Sequence, residues 1–227
     1  MKTKSSYSVW TRKLFDRYLA WNFKRNFQHI YCKGLENLNS VKGPLLFVAN
    51  HVSWWDGFFL FEVQRRSRPT AKLYTVALKK TYLENPILQR MGVLPLQPGN
   101  PGSLKALLKQ LRNLRETIPS EDLMVTFFPQ GKITPSFSPD LNFQRGIETV
   151  LSSLLPIQVI PVGIHIEPMT GKVPSAILSL GQALACESSS FEKEVIEIQV
   201  QKVLGEIHSS LNSNGESLPP EFVKWRL

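Results

Sequence analysis

From residue 41 onward, short apolar or β-branched runs alternate with segments of helical periodicity. The runs PLLFVAN (44–50), KLYTVAL (72–78), GVLPL (92–96), LMVTFFP (123–129), IQVIPVGIHI (157–166) and AILSLG (176–181) predict strands. They are nearly continuous in apolar character, the pattern of strands covered on both faces. Between them, WWDGFFLFEVQRR and GSLKALLKQLRNLRET predict helices, the second with Ser103 as its N-cap. A long last helix spans FEKEVIEIQVQKVLGEIHSSL, with Ser189 and Glu192 spaced as a capping box. Strands alternating with helices predict an α/β fold: a mixed, mostly parallel sheet covered by helices.

The two flanks read differently. In residues 1–40, Trp10, Leu14, Arg17, Tyr18 and Trp21 recur at helical spacing, with Phe23 and Phe27 following. Indole rings beside Lys and Arg suit an in-plane, membrane-docking helix, because the rings settle at headgroup level and the cations meet anionic lipid. The same pattern also suits an amphipathic helix packed on its own domain with a solvated basic face. The tail 213–227 (SNGESLPPEFVKWRL from Ser213) contains two prolines and is expected to be loosely held. The division is thus a basic helical segment 1–40, an α/β domain 41–212 and a tail, with no internal repeat.

Charge narrows the partners. The 227 residues carry a net charge of +9, and residues 1–33 alone hold eight basic side chains against Asp16, or +7 of that total. An anionic partner surface is expected. Outside that segment 19 basic residues face 17 acidic ones, so the interleaved basic surface of a nucleic-acid-binding protein is not expected. Cys32 and Cys186 share no motif spacing and read as reduced thiols. No run approaches the roughly 20 apolar residues of a spanning helix, and charges interrupt the N-terminus too often for a signal peptide. A soluble or peripheral protein in a reducing compartment is expected.

Three polar clusters follow predicted strands: NHVSWWD (50–56), the lysine pair Lys79–Lys80, and FPQGK (128–132). In sheets of this type, ligands bind outside the carboxyl ends of the strands. A histidine beside a carboxylate can act as a base whose tautomer the carboxylate fixes, and Asp56, one turn into a following helix, can turn back toward His51. Ser53 and Asp56 are equally spaced for a capping box. One His and one Asp make a poor zinc site, and no G-x-S-x-G elbow exists for a serine nucleophile. In the third cluster, Pro129 and Gly131 turn the chain sharply, and Lys132 and Arg145 can meet an anionic group. His29, His165 and His208 have no partner nearby in sequence.

In order, these blocks resemble the glycerolipid acyltransferase family, whose best-known members acylate lysophosphatidic acid. NHVSWWD matches its N-H-x4-D motif. ALKKTYLENPILQRMGVLPLQ (77–97) is similar to the second block, FPQGK to F-P-E-G-[TS]-R, FQRGI (143–147) to the basic segment after it, and VIPVGI (159–164) to the fourth block. The resemblance implies an O-acyltransferase on the cytoplasmic face of a membrane, peripherally attached. It would move a fatty acyl group from acyl-CoA or acyl-carrier protein to a lipid hydroxyl, with no metal or tightly held cofactor. It also implies His51 as general base, Asp56 as its orienter, and Asn50, Lys79, Lys80, Pro129, Gln130, Gly131, Lys132 and Arg145 around the substrates. Gln130 stands where the family has Glu, Ile133 where it has Arg, and LQPGN replaces a block that usually ends in Arg. Those departures touch the anion-reading residues, so they bear on the acceptor headgroup. They also motivate the alternative of an inactive, lipid-binding family member.

Overall fold

A computed structural model describes residues 9–188, 192–215 and 217–226, with side chains from Phe15 onward. Nine strands form one mixed sheet in the order β4-β3-β5-β2-β6-β7-β1-β9, with β8 also pairing β6. They are β1 (Ile30–Lys33), β2 (Leu45–Ala49), β3 (Lys72–Leu78), β4 (Val93–Leu96), β5 (Leu123–Phe127), β6 (Ile157–Glu167), β7 (Ser175–Leu180), β8 (Leu184–Cys186) and β9 (Val223–Lys224). From β4 to β6 all pairs are parallel. Strand β7 runs antiparallel to β6, and β1 is parallel to β7. The expected mixed, mostly parallel sheet is therefore present.

Helices cover both faces. On β2, Leu45, Phe47 and Ala49 join one buried cluster with Phe15, Leu19 and Phe23 of α1 (Val9–Asn26), Phe27 just after it, and Phe59, Leu60 and Val63 of α2 (Asp56–Ser67). Leu46 and Val48 join a second cluster on the other face. There they meet Leu107 and Leu111 of α4 (Pro101–Thr117), Ile147 and Val150 of α5 (Gly146–Ser152), and Ile196 and Val200 of α6 (Lys193–Asn214). Every residue of β2 is buried, which explains its unbroken apolar run. The short helix α3 (Lys79–Glu84) follows β3 directly.

Several boundaries differ from the sequence reading for identifiable reasons. Helix α4 is capped by Asn100, whose side chain accepts from Ser103 N–H at 3.0 Å, so Ser103 sits inside the first turn. Pro101, at the first helical position, marks that start. Ser189 lies outside the described residues, and Glu192 precedes α6 without a side-chain cap. Helix α1 buries Phe15, Leu19 and Phe23, a ladder continued by Phe27 just past its end, and leaves Tyr18 and Trp21 more than half exposed. Strand β1 belongs to the sheet, so the boundary expected at residue 40 falls between two strands of one core.

The tail is not loose. Phe222 and Trp225 are buried, Trp225 N–H donates to Ile30 O at 2.8 Å, and β9 pairs β1. Arg66 of α2 lies over the Trp225 ring at 4.9 Å, and its Nε donates to buried Glu62 Oε1 at 2.7 Å, a carboxylate that Arg65 also grips with two bonds. The two aromatic anchors outweigh the local preference of a proline-containing segment. Among the described residues, no helix is long and apolar enough to cross a membrane.

Two predictions follow from this packing. Trp225→Ala should lower unfolding free energy by about 3 kcal/mol in urea denaturation, as buried Trp truncations do; a change near zero would mean the tail is not anchored. Burial pushes the Cys32 thiol up to about 12 and the Cys186 thiol up to about 11. Because the thiolate is the nucleophile, neither should react with a disulfide reagent at pH 8 in the folded protein, and both should react in urea. Rapid labelling of the native chain would contradict that.

Candidate active site

The turn between β2 and α2 is built around one carboxylate. Asp56 is fully buried and is the first residue of α2. Its Oδ2 accepts from Val52 N–H at 2.7 Å and Ser53 N–H at 2.9 Å, and its Oδ1 accepts from Ser53 Oγ–H at 2.5 Å. The His51 Nδ1 lies 2.7 Å from Oδ2. A carboxylate accepts, so the Nδ1 that faces it carries a proton, and in the neutral tautomer the lone pair lies on Nε2. Ser53 Oγ in turn accepts from Trp55 N–H at 3.1 Å. Helix α2 starts at Asp56 itself, with Trp55 at its N-cap and no side-chain cap, so in place of the expected capping box one turn earlier the Asp56 carboxylate closes the turn on Ser53 while it holds His51.

The loop after β5 holds His51 from the other side. Its main-chain N–H donates to Gln130 Oε1 at 2.6 Å, Gln130 Nε2 donates to Thr134 Oγ1 at 2.7 Å, and Thr134 N–H returns to His51 O at 2.9 Å. This closed ring ties NHVSWWD to FPQGK. Gly131 takes φ +68°, the left-handed region that glycine enters without a Cβ penalty, and it closes the Phe128–Gly131 turn with a 3.1 Å bond. The Phe128 ring stacks on the imidazole, centroids 4.5 Å apart and planes 23° apart. The His51 side chain keeps 24% exposure.

His51 lines a cavity of about 820 Å³ at the carboxyl ends of β3, β4 and β5. Phe58, Phe61, Leu73, Val76, Met91, Val93 and Leu104 make it mainly apolar. Pro129, Gly131, Lys132 and Ile133 come from the loop, and Lys132 is the one Lys or Arg among the described residues that line it. The volume lies in the range of ligand pockets, and the lining suits a long apolar group with one polar end near His51.

The remaining expected residues fall in three places. Asn50 is buried and makes both bonds to the sheet: Nδ2 donates to Ile164 O at 2.8 Å and Ile164 N–H donates to Oδ1 at 2.7 Å. It fixes the β2 exit on β6 and does not line the cavity. Gln130 likewise serves the loop ring from a buried position. Lys79 and Lys80 are exposed on α3 outside the lining, Lys80 lying 3.9 Å from Glu84, and Arg145 is exposed at the start of α5. Thr134 and Phe128, not among the candidate site residues, complete the His51 surroundings; Phe128 opens the FPQGK block, and Thr134 lies two residues beyond it. Among the described residues, no three His, Cys, Asp or Glu side chains are arranged to hold a metal. Away from this site His208 meets His165, and burial, then the neighbouring His165, lowers its pKa.

A family model described as Acyltransferase matches residues 29–165. That span runs from β1 through β6 and includes the whole His51 turn and the Gln130 loop. Among solved structures, the chain is similar to a 1-acyl-sn-glycerophosphate (LPA) acyltransferase, PlsC, from Thermotoga maritima. The two are 16% identical with a TM-score of 0.61, over 87% of this chain and 79% of that one, which establishes a shared fold. No curated protein matches the sequence.

The hydrogen-bond ring makes its own prediction. Gln130→Leu removes the acceptor of His51 N–H and should cost about 1–3 kcal/mol in urea denaturation, the cost of an unsatisfied buried donor. Gln130→Glu keeps that acceptor, with the Thr134 hydroxyl turning to donate, and should cost less. Equal losses in both variants would show that the ring does not hold the loop.

Proposed function

The chain belongs to the acyltransferase family, and from that premise we propose that it transfers a fatty acyl group from an acyl thioester to the hydroxyl of a lysophospholipid or related lipid. The thioester is carried by coenzyme A or acyl-carrier protein. The observation that carries this reading is the His51–Asp56 pair, 2.7 Å apart, lining an apolar cavity of about 820 Å³. Nε2 of His51 takes the proton from the acceptor hydroxyl as its oxygen attacks the thioester carbonyl. Asp56 keeps the Nδ1 proton in place and stabilises the imidazolium that forms. The tetrahedral intermediate then collapses, the C–S bond breaks, and the imidazolium returns its proton to the departing thiolate. No metal or tightly bound cofactor takes part.

The cavity's make-up supports a division of labour. The apolar walls take the acyl chain, and Lys132 meets an anionic group as a point charge, without a planar fork. With Ile133 where an arginine is usual, the acceptor headgroup is one that needs no bidentate guanidinium: a lysophospholipid, or a hydroxyl lipid without a phosphomonoester. The exposed face of α1 supports peripheral attachment to an anionic membrane surface. Tyr18 and Trp21 are 55% and 53% exposed, Arg25 lies over the Trp21 ring at 4.8 Å, and Trp54 is 46% exposed beside the cavity it lines.

Purified protein given acyl-CoA or acyl-carrier protein and a panel of lysolipids should release free thiol. His51→Ala should reduce that release by about 100- to 10,000-fold, the usual worth of a positioned base. Release that survives the substitution would overturn the assignment, and no turnover with any acceptor would favour an inactive, lipid-binding protein. The double variant Tyr18→Ser, Trp21→Ser should sediment less with anionic vesicles while keeping its fold; unchanged sedimentation would remove α1 from the docking surface.

A further inference from the structure

Helix α4 leaves the cavity mouth with a basic edge that the proposed chemistry does not use. Its start reaches the site, since Asn100, Pro101 and Leu104 line the cavity that His51 lines. Its inner face is fixed by Leu107 and Leu111, both fully buried in the core. Lys105, Lys109 and Arg112 are exposed. Positions i, i+4 and i+7 share one face of a helix, so these cations stand in a row about 10 Å long that begins beside Leu104. None of the three has an ion-pair partner among the described residues. Arg115 is engaged elsewhere, its Nη1 donating to Ser120 Oγ at 3.0 Å. Glu116 is the one acidic residue of the helix. Outside residues 1–33 the chain is nearly balanced, with 19 basic residues against 17 acidic, so this row is a local excess and not a share of a generally basic surface.

We propose that the Lys105–Lys109–Arg112 row docks an acidic carrier protein, which makes the preferred acyl donor a protein-borne thioester, acyl-carrier protein. The inference rests on the acyl-transfer reading and names the donor that reading left open. The choice of partner follows from what the row has and lacks. A membrane face needs side chains that insert; α4 exposes no large apolar residue, whereas α1 exposes Tyr18 and Trp21. The phosphates of a nucleotide are held best by cations that converge on them, and these three are strung along a rod. Lys132 is the one Lys or Arg among the described residues that line the cavity itself.

An acidic helix or edge laid along α4 meets all three cations at once. Charges arranged this way at a solvated interface steer the encounter and fix its orientation. The row ends at the cavity mouth, so a carrier seated on it has its thioester-bearing arm aimed past Leu104 toward His51.

The test is binding, which does not need turnover. Fluorescence anisotropy of labelled palmitoyl-acyl-carrier protein with the full chain should show saturable binding that weakens as salt rises. The variant Lys105→Glu, Lys109→Glu, Arg112→Glu should weaken it about tenfold or more with unchanged circular dichroism, and Gln at the same three positions should weaken it less. The control Lys42→Glu, Lys172→Glu, Lys202→Glu removes as much charge from exposed positions elsewhere and should bind as wild type does. His51→Ala should also bind normally, so a failed base assignment alters thiol release and leaves this result alone. In turnover, the α4 variant should lower kcat/KM about tenfold with acyl-carrier protein and less than about twofold with acyl-CoA. No binding at about 100 μM chain, unchanged affinity in the α4 variant, or equal weakening by the control would each overturn the proposal. So would an equal fall with both donors, which would give the row to coenzyme A, or a loss of anionic-vesicle sedimentation in place of carrier binding.

Discussion

The Asp56 carboxylate is the point on which the site depends. Removing a charge of this size from water costs several kcal/mol, and it is tolerated only where hydrogen-bond donors replace the lost hydration. Here four donors do so, and all of them belong to residues 51–53. The same bonds therefore shape the turn out of β2, seat the start of α2 and fix the His51 ring. Helix stability and imidazole orientation are not separable at this position. A substitution that loosens one loosens the other.

The sheet supplies the second constraint. Asn50 fastens the β2 exit to Ile164 of β6, and the Gln130–Thr134 ring fastens His51 to the loop after β5. Three parallel strands thus converge on one main-chain segment, with the apolar cavity opening over β3 and β4 beside it. This is the crevice at the carboxyl ends of strands that α/β sheets generally offer to ligands. The family match over residues 29–165 covers these strands and loops together. Gln130 serves this purpose without a charge, so its substitution for the family's glutamate preserves the loop's attachment.

Much of this was legible from the chain because the central strands are apolar on both sides. The six predicted runs differ from β2 to β7 by at most two residues at either end. Strands β1, β8 and β9 escaped: IYCK, LAC and VK are too short to show a period, and their pairing is with distant segments. The tail escaped for a related reason, since Phe222 packs with Ile177 of β7 and Ile207 of α6 while Trp225 is held by α2 and β1, none of them neighbours in sequence. His51 and Asp56 were visible as a pair because they are five positions apart. His165 and His208 were not, because their partnership is made by the packing of α6 on β6. The expected contacts of Asn50 with substrate gave way to bonds with β6 that no local pattern announces.

The proposed acyl transfer needs His51 as a neutral imidazole, its Nδ1 proton held by Asp56 and its Nε2 left as the base. Nitrogen NMR of the ring-labelled protein at neutral pH reads this tautomer directly. His51 should show a protonated Nδ1 and an unprotonated Nε2, and Asp56→Asn should disturb that pattern without unfolding the chain. A His51 ring protonated on Nε2, or one exchanging between both tautomers in the wild type, would contradict it.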